Sequence, residues 1–162
     1  PVFGVSLAFM AIMLFLNYRY EQELITRILT VNRADARIPG LDIFAFFLGC
    51  WLALMIFPEE IAKAAIMVLT FADPVAHLVS TGFGGKQASV SRTSYLEGAL
   101  AGTFLGAIAA WVYVDIIPAI IAAGAAMFIE AGELRIADHH IDDNIVIPLI
   151  AGAVLWVIAL VF

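Results

Sequence analysis

Apolar residues fill most of this chain in long runs, and only a few polar intervals separate them. A helix that crosses a membrane needs about 20 predominantly apolar residues, and six runs approach that length, two of them rather short. They cover residues 1–16, 41–57, 61–72, 98–114, 119–129 and 145–162. The pattern predicts an all-α, polytopic membrane protein with about six transmembrane helices, formed as a single integral membrane domain over residues 1–162.

The polar intervals between these runs predict the orientation. With six alternating spans, intervals 17–40, 82–94 and 130–144 fall on one side, and they hold seven of the eight lysines and arginines. Lys63 alone falls on the other side. Basic loops remain in the cytoplasm, so we expect the polar loops and any site built from them to be cytoplasmic.

The composition agrees with a membrane protein, and the net charge argues against one class of partner. Hydrophobic residues make up 64% of the chain, against about 45–50% in a soluble domain. The net charge of −6 argues against nucleic acid, because phosphate backbones bind basic surfaces. The chain opens on Pro1 directly into apolar sequence, so we expect that upstream helices are missing.

Asp73 is the first candidate for chemistry, because it stands at the end of a predicted span. Pro74 follows it and removes a backbone donor, which predicts that the third helix is broken or ends here. A carboxylate inside a membrane protein is costly and should be paired, hydrated or metal-bound. If the helix instead continues, Asp73 shares a face with Ala76, His77 and Ser80.

A glycine-rich turn with a lysine follows, and it consists of Gly82, Gly84, Gly85 and Lys86. Glycines let backbone amides approach an anion closely, and lysine supplies a positive charge to phosphate. Asp73 and Glu97 flank this turn. One or two carboxylates beside substrate phosphates are a common Mg²⁺ environment, so the interval predicts a site for Mg²⁺ and a phosphate-bearing ligand.

Interval 130–144 offers a second group of polar side chains. Its adjacent histidines, His139 and His140, lack the separated spacing of usual zinc ligands, so a solvated loop is the favoured interpretation. Asp143 and Asn144 lie nearest the next apolar run and are the best candidates to add to the first site. Glu130, at the end of the fifth run, faces the same cytoplasmic layer.

Three sequence features together resemble the CTP-dependent lipid-alcohol kinases, which comprise dolichol kinase, phytol kinase and the CTP-using diacylglycerol kinases. The first is D-P-V-A at 73–76 running into G-G-K at 84–86. The second is Glu-Gly at 97–98, and the third is Asp-Asn at 143–144 with a proline at 148. The resemblance covers roughly residues 40–162. The family's lysine ahead of Glu-Gly is replaced here by Ser94.

The resemblance implies a transferase that moves the γ-phosphate of CTP to the hydroxyl of a membrane lipid such as a polyprenol, phytol or diacylglycerol. Asp73 and Glu97 would then be catalytic, and with Asp143 they would bind Mg²⁺. The nucleotide would be bound by Gly82, Gly84, Gly85 and Lys86, helped by Arg92. Asp143 and Asn144 would complete the polar layer of the nucleotide site.

Two alternatives remain open on the sequence. A CTP:lipid-phosphate cytidylyltransferase, such as phosphatidate cytidylyltransferase, has a related fold and a similar Asp–glycine–Lys pattern. A membrane transporter or channel would use Asp73 and Glu130 as carboxylates along its pathway. The sequence does not select the lipid, and it leaves the oligomeric state open.

Overall fold

The computed structural model describes residues 41–81, 92–131, 135–136, 139–140 and 142–162, together with Ala8, Ala11, Ile12 and Phe15. The helices with described bounds are α1 (Leu41–Ile56), α2 (Glu59–Thr81), α3 (Arg92–Ala110), α4 (Ile116–Ala131) and α5 (Asp143–Val161). Between α4 and α5 lie two short strands, β1 (Arg135–Ile136) and β2 (His139–His140).

The turn between α1 and α2 follows from local sequence. A residue before proline is disfavoured in the helical conformation, so α1 stops ahead of Phe57 and Pro58. The Pro58 carbonyl then accepts from the Ala62 amide at 2.9 Å and opens α2. Lys63 forms ion pairs with Glu59 at 2.7 Å and Glu60 at 3.3 Å.

Helix α2 is the central element, because it packs against α1, α3, α4 and α5. Its buried face consists mainly of small side chains, which allow the neighbouring helices to approach closely. They include Ala62, Ala64, Ala65, Ala72 and Ala76, with Val68 and Leu69. Among the described helices, α1 and α3 do not contact each other, so one face of α2 stays uncovered between them.

Glycines on α3 bring that helix against the backbone of α2. A Cβ atom placed on Gly102 would lie 2.8 Å from the Ala72 carbonyl oxygen and 3.0 Å from the Ala76 Cβ. A Cβ on Gly106 would lie 2.8 Å from the Ala72 Cβ, and one on Gly98 would lie 2.5 Å from the Ala76 oxygen. Later residues of α3 therefore meet earlier residues of α2, and the two helices run antiparallel.

The prediction that the third span breaks at Pro74 is wrong, since α2 continues through this residue to Thr81. Pro74 removes one helical hydrogen bond, and its side chain is exposed. Ala72 and Ala76, on either side of it, are buried against α3. Packing on both sides of the proline outweighs the single lost hydrogen bond.

Other boundaries differ from the predicted ones in smaller ways. Helix α3 begins at Arg92 rather than Gly98 and ends at Ala110, so residues 111–114 form a turn. The 130–144 interval is not only loop, because β1 and β2 pair antiparallel with Arg135 opposite His140. The described fold is therefore helical with one small hairpin. Most of the predicted span 1–16 lies outside the described residues.

The helices carry the apolar surface expected of membrane segments. In the described ranges, α2 and α5 are long and apolar enough to cross a membrane, and α1 and α4 are shorter apolar helices. Large hydrophobic side chains face outward, among them Phe104 at 68% exposure and Leu160 at 74%. The prediction of about six spans stays a prediction.

Candidate functional site

Four helix ends and the hairpin meet at one end of the bundle, which we call the polar end. Helices α2 and α4 finish there, at Thr81 and Ala131, whereas α3 and α5 begin there. The antiparallel order of the helices produces this arrangement. It brings the second half of α2, where the candidate acid Asp73 lies, to the same end as the start of α5.

Three carboxylic acids from three helices lie close enough to interact at the polar end. Glu130, partly buried in the last turn of α4 past its apolar stretch, has its pKa raised from 4.5 to about 8. Burial of the carboxyl is the main cause, and the negative charges of Asp73 and Asp143 add to it. We call Asp73, Glu130 and Asp143 the acidic cluster.

The packing of α2 and α4 against α3 determines where Asp73 and Glu130 lie along the axis of the bundle. A Cβ atom placed on Gly102 of α3 would lie 2.8 Å from the Ala72 carbonyl oxygen of α2 and 2.8 Å from the Met127 sulfur of α4. Asp73 directly follows Ala72, and Glu130 follows Met127 by one helical turn. The contact that joins α2, α3 and α4 therefore brings these two acids to neighbouring levels.

The start of α5 adds an ordered polar turn. Asp142 is the N-cap residue, and its carboxylate accepts from the Asn144 amide at 3.0 Å and from the Asn144 side-chain nitrogen at 2.8 Å. This cap fixes Asn144, so the site contains a held amide next to the Asp143 carboxylate. Asp142 was not predicted as part of the site, although aspartate directly before an apolar helix is a typical N-cap.

Glu97 occupies a different level from Asp73. It is exposed in the second turn of α3, next to Gly98, which faces Ala76 and Ser80 of α2. Asp73 precedes Ala76 by three residues and Ser80 by seven, or about 4.5 Å and about 10 Å along a helix. Glu97 thus lies nearer the outer edge of the polar end, and its role as a joint metal ligand with Asp73 remains a prediction.

Two hydroxyls near the end of α2 are already used within the helix. Ser80 and Thr81 both donate to the His77 carbonyl, at 3.1 Å and 2.7 Å. The predicted shared face of α2 is only partly polar, because Ala76 on that face is buried against α3.

The predicted phosphate-binding residues Gly82, Gly84, Gly85 and Lys86 lie outside the described residues. Arg92 is the first residue of α3, and nothing is described of its side chain. The segment that contains the glycines connects Thr81 to Arg92, and both of these residues are at the polar end. Their phosphate-binding role stays a prediction.

The acidic cluster fits a nucleotide-bound Mg²⁺ better than a metal held by protein alone. In the described ranges, no three His, Cys, Asp or Glu side chains are placed to hold a metal ion. Mg²⁺ at nucleotide sites commonly takes one or two carboxylates, with phosphates and water as the other ligands. Asp73 and Asp143 carry oxygen donors of this kind, and their role as Mg²⁺ ligands stays a prediction. The side chains of His139 and His140 lie outside what the structure describes.

Glu130 was predicted to face the cytoplasmic layer, which stays a prediction, and it was not predicted as a residue of the kinase site. An acid that ends an apolar run is a weak signal, because it also suits an ordinary interfacial helix end. Its importance follows from the packing of α4 beside α2 and α5, which the sequence does not display.

The raised pKa of Glu130 predicts how stability depends on pH. The folded state keeps the Glu130 proton at pH values where the unfolded chain has lost it, so stability should fall as pH rises from about 4.5 to about 8. The variant Glu130→Gln removes this titration and should flatten the fall. Thermal unfolding in detergent, scanned across this range, checks the prediction; parallel profiles for both proteins would contradict it.

The fold and the acidic cluster define a class: a helical protein in which, over the described ranges, two helices are long and apolar enough to span a membrane, with carboxylates from three helices at the polar end. Among curated proteins, the chain is similar to CTP-dependent diacylglycerol kinase 1 of Schizosaccharomyces pombe (strain 972), with 27% identity over 126 residues. The match covers 70% of this chain and 58% of the relative.

This similarity confirms the resemblance to the CTP-dependent lipid kinases and supports an enzyme. The chain spans little more than half the length of the relative it matches. No protein-family model matches the chain, and no solved structure does.

Proposed function

We propose that this protein is a membrane-embedded, CTP-dependent kinase that transfers the γ-phosphate of CTP to the hydroxyl of a membrane lipid alcohol. The observation that carries the proposal is the acidic cluster, in which Asp73 and Asp143 from two helices act on Glu130 from a third. These two aspartates belong to the motifs that resemble the family, and the similarity to a CTP-dependent diacylglycerol kinase supports the nucleotide.

The chain's own residues divide the work of phosphoryl transfer, which depends mainly on positioning and charge stabilisation. Asp73 and Asp143 would hold Mg²⁺, and Glu97 would be a further predicted ligand. Gly82, Gly84, Gly85, Lys86 and Arg92 hold the nucleotide phosphates, beside Asn144. When bound, Mg²⁺ offsets negative charge on the phosphates.

The reaction forms one bond and breaks one. The lipid hydroxyl oxygen bonds to the γ-phosphorus of CTP, and the bond from that phosphorus to the β,γ-bridging oxygen breaks, which releases CDP. The hydroxyl proton passes to the Asp73 carboxylate. Glu130, with its pKa near 8, is mostly protonated at neutral pH and is unsuited to accept this proton.

The membrane arrangement is part of the proposal. Helices α2 and α5 are the candidate spans, and the polar end faces the cytoplasm. The support is the distribution of charge, because seven of the eight basic residues fall in the intervals 17–40, 82–94 and 130–144.

Labelled CTP tests the reaction and separates it from its rivals. The purified protein in lipid nanodiscs should transfer label from γ-labelled CTP to a lipid alcohol, in a panel of diacylglycerol, phytol and a polyprenol, and should release CDP. Transfer from α-labelled CTP to a lipid phosphate such as phosphatidate, included as a separate acceptor, with release of pyrophosphate, would instead establish a cytidylyltransferase. No transfer, and no Mg²⁺-dependent binding of CTP, would favour a transporter.

A further inference from the structure

Among the described helices, none covers the face of α2 that lies between α1 and α3, and we call it the open face. It consists of five exposed residues at helical spacing, namely Thr70, Phe71, Pro74, His77 and Leu78. The buried residues of α2 lie on the other side of the helix and pack against the remaining bundle. The open face is neither wholly apolar nor wholly polar, because hydrogen-bonding groups alternate with large apolar side chains.

Pro74 gives the open face a hydrogen-bond acceptor in the middle of a helix. Within an α-helix the carbonyl of Thr70 accepts from the amide four residues later, but that residue is Pro74, which has no N–H. The Thr70 hydroxyl does not compensate, since it donates to the Ile66 carbonyl at 2.8 Å. In a hydrocarbon environment such a backbone acceptor is costly unless a donor reaches it.

The lipid environment limits which molecules can donate a hydrogen bond to the Thr70 carbonyl. Hydrocarbon chains have no hydrogen-bond donor, whereas a lipid alcohol carries one donor at the end of a long apolar chain. Phe71 and Leu78, 45% and 46% exposed, lie beside Pro74 on the open face and suit such a chain. A lipid alcohol therefore complements both the polar and the apolar parts of this surface.

The open face also adjoins the acidic cluster. Asp73 directly precedes Pro74 and lies between the buried face of α2 and the open face, partly buried. A hydroxyl at the Thr70 carbonyl is within one helical turn of Asp73. The Thr70 carbonyl on the open face and Asp73 of the acidic cluster therefore lie within the same turn of α2.

We propose that the open face of α2 is the docking surface for the substrate lipid, with the lipid hydroxyl donating to the Thr70 carbonyl and the chain lying over Phe71 and Leu78. This inference rests on the proposed kinase function and adds a basis for selectivity. The alcohol is held by its donor before it reaches Asp73. The phosphorylated product no longer has that alcohol group, so it loses this hydrogen bond and leaves.

The variant Pro74→Ala tests the role of the Thr70 carbonyl. Alanine restores the amide that the helix lacks, so the helix should be stabilised, while the Thr70 carbonyl becomes occupied. Loss of one hydrogen bond predicts a rise in KM for the lipid of about threefold to tenfold, with KM for CTP unchanged. A purely structural role for Pro74 would leave the lipid KM unchanged.

The apolar part of the surface is tested by a matched pair of variants. Leu78→Trp adds bulk on the open face and should raise the lipid KM at least about fivefold, on the scale of one lost apolar contact. Leu100→Trp adds the same bulk to an exposed leucine at a similar height, on the face of α3 opposite the glycines that pack on α2, and should leave KM unchanged.

The outcomes separate the two proposals. If the wild-type protein phosphorylates a lipid but Pro74→Ala and Leu78→Trp retain its lipid KM, the docking surface is wrong and the kinase stands. If Leu78→Trp instead disrupts a dimer seen by native mass spectrometry and lowers kcat alone, a second copy covers the open face. An inactive wild-type protein overturns both proposals.

Discussion

Asp73→Asn is expected to lower the rate of γ-phosphate transfer by at least about a hundredfold, the scale seen when one preorganised electrostatic contact to a transition state is removed. The side chain keeps its size but loses its charge, so it holds Mg²⁺ poorly and accepts no proton. Single-turnover transfer from γ-labelled CTP to the best lipid of the panel measures the effect. Thermal unfolding should show an intact protein.

A matched control exists at the opposite end of the bundle. Asp115 is an exposed acid directly before α4, and Asp115→Asn makes the same chemical change away from the acidic cluster. It should retain wild-type transfer. If Asp73→Asn keeps turnover close to that of Asp115→Asn, Asp73 is not part of the reaction and the assignment of the polar end as the active site fails.

Gly102→Ala is expected to destabilise the protein. Gly98 apart, we expect its effect to be the largest of any glycine-to-alanine substitution on α3. The new Cβ would lie 2.8 Å from the Ala72 carbonyl oxygen and 2.8 Å from the Met127 sulfur. A backbone oxygen cannot rotate away, so α3 itself must shift from α2. Overpacking of this kind costs about 1–3 kcal/mol and should lower the unfolding temperature in detergent by several degrees.

Gly124→Ala is the matched control for this substitution. A Cβ at Gly124 meets only the Thr103 methyl group at 3.6 Å, which is an ordinary van der Waals contact. The helix should tolerate it, with an unfolding temperature that is unchanged or slightly higher, because alanine is the better helix former. Equal unfolding temperatures for the two variants would show that α3 does not pack as closely on α2 as described.

Much of the helical framework was predictable from the sequence, because long apolar runs leave few alternatives. The predicted spans 41–57 and 145–162 agree closely with Leu41–Ile56 and Asp143–Val161. The failure at Pro74 has a tertiary cause. Proline alone predicts a helix break, and only the burial of Ala72 and Ala76 against α3 shows why the helix persists for two more turns.

The candidate site was predictable only in part, because some of its residues stand in local motifs and others are brought together only by helix packing. Asp73 and Asp143 stand in motifs that the sequence displays, and the structure brings both to the acidic cluster. Glu130 was not assigned to the site, because its neighbours come from other helices and no local spacing encodes them. Glu97, predicted as a joint ligand with Asp73, directly precedes Gly98, which packs against Ala76 and Ser80, and its role stays a prediction.

The three faces of α2 have consequences for how the proposed kinase would change its substrate. Ala72 packs against α3, Asp73 is the proposed catalytic acid, and Pro74 with Leu78 belongs to the proposed lipid-docking surface. Because these tasks fall on adjacent residues that point in different directions, substitutions on one face leave the other two intact. Preference for a straight, branched or double-chained alcohol could therefore diverge between relatives through a few exposed residues of α2 while the reaction is retained.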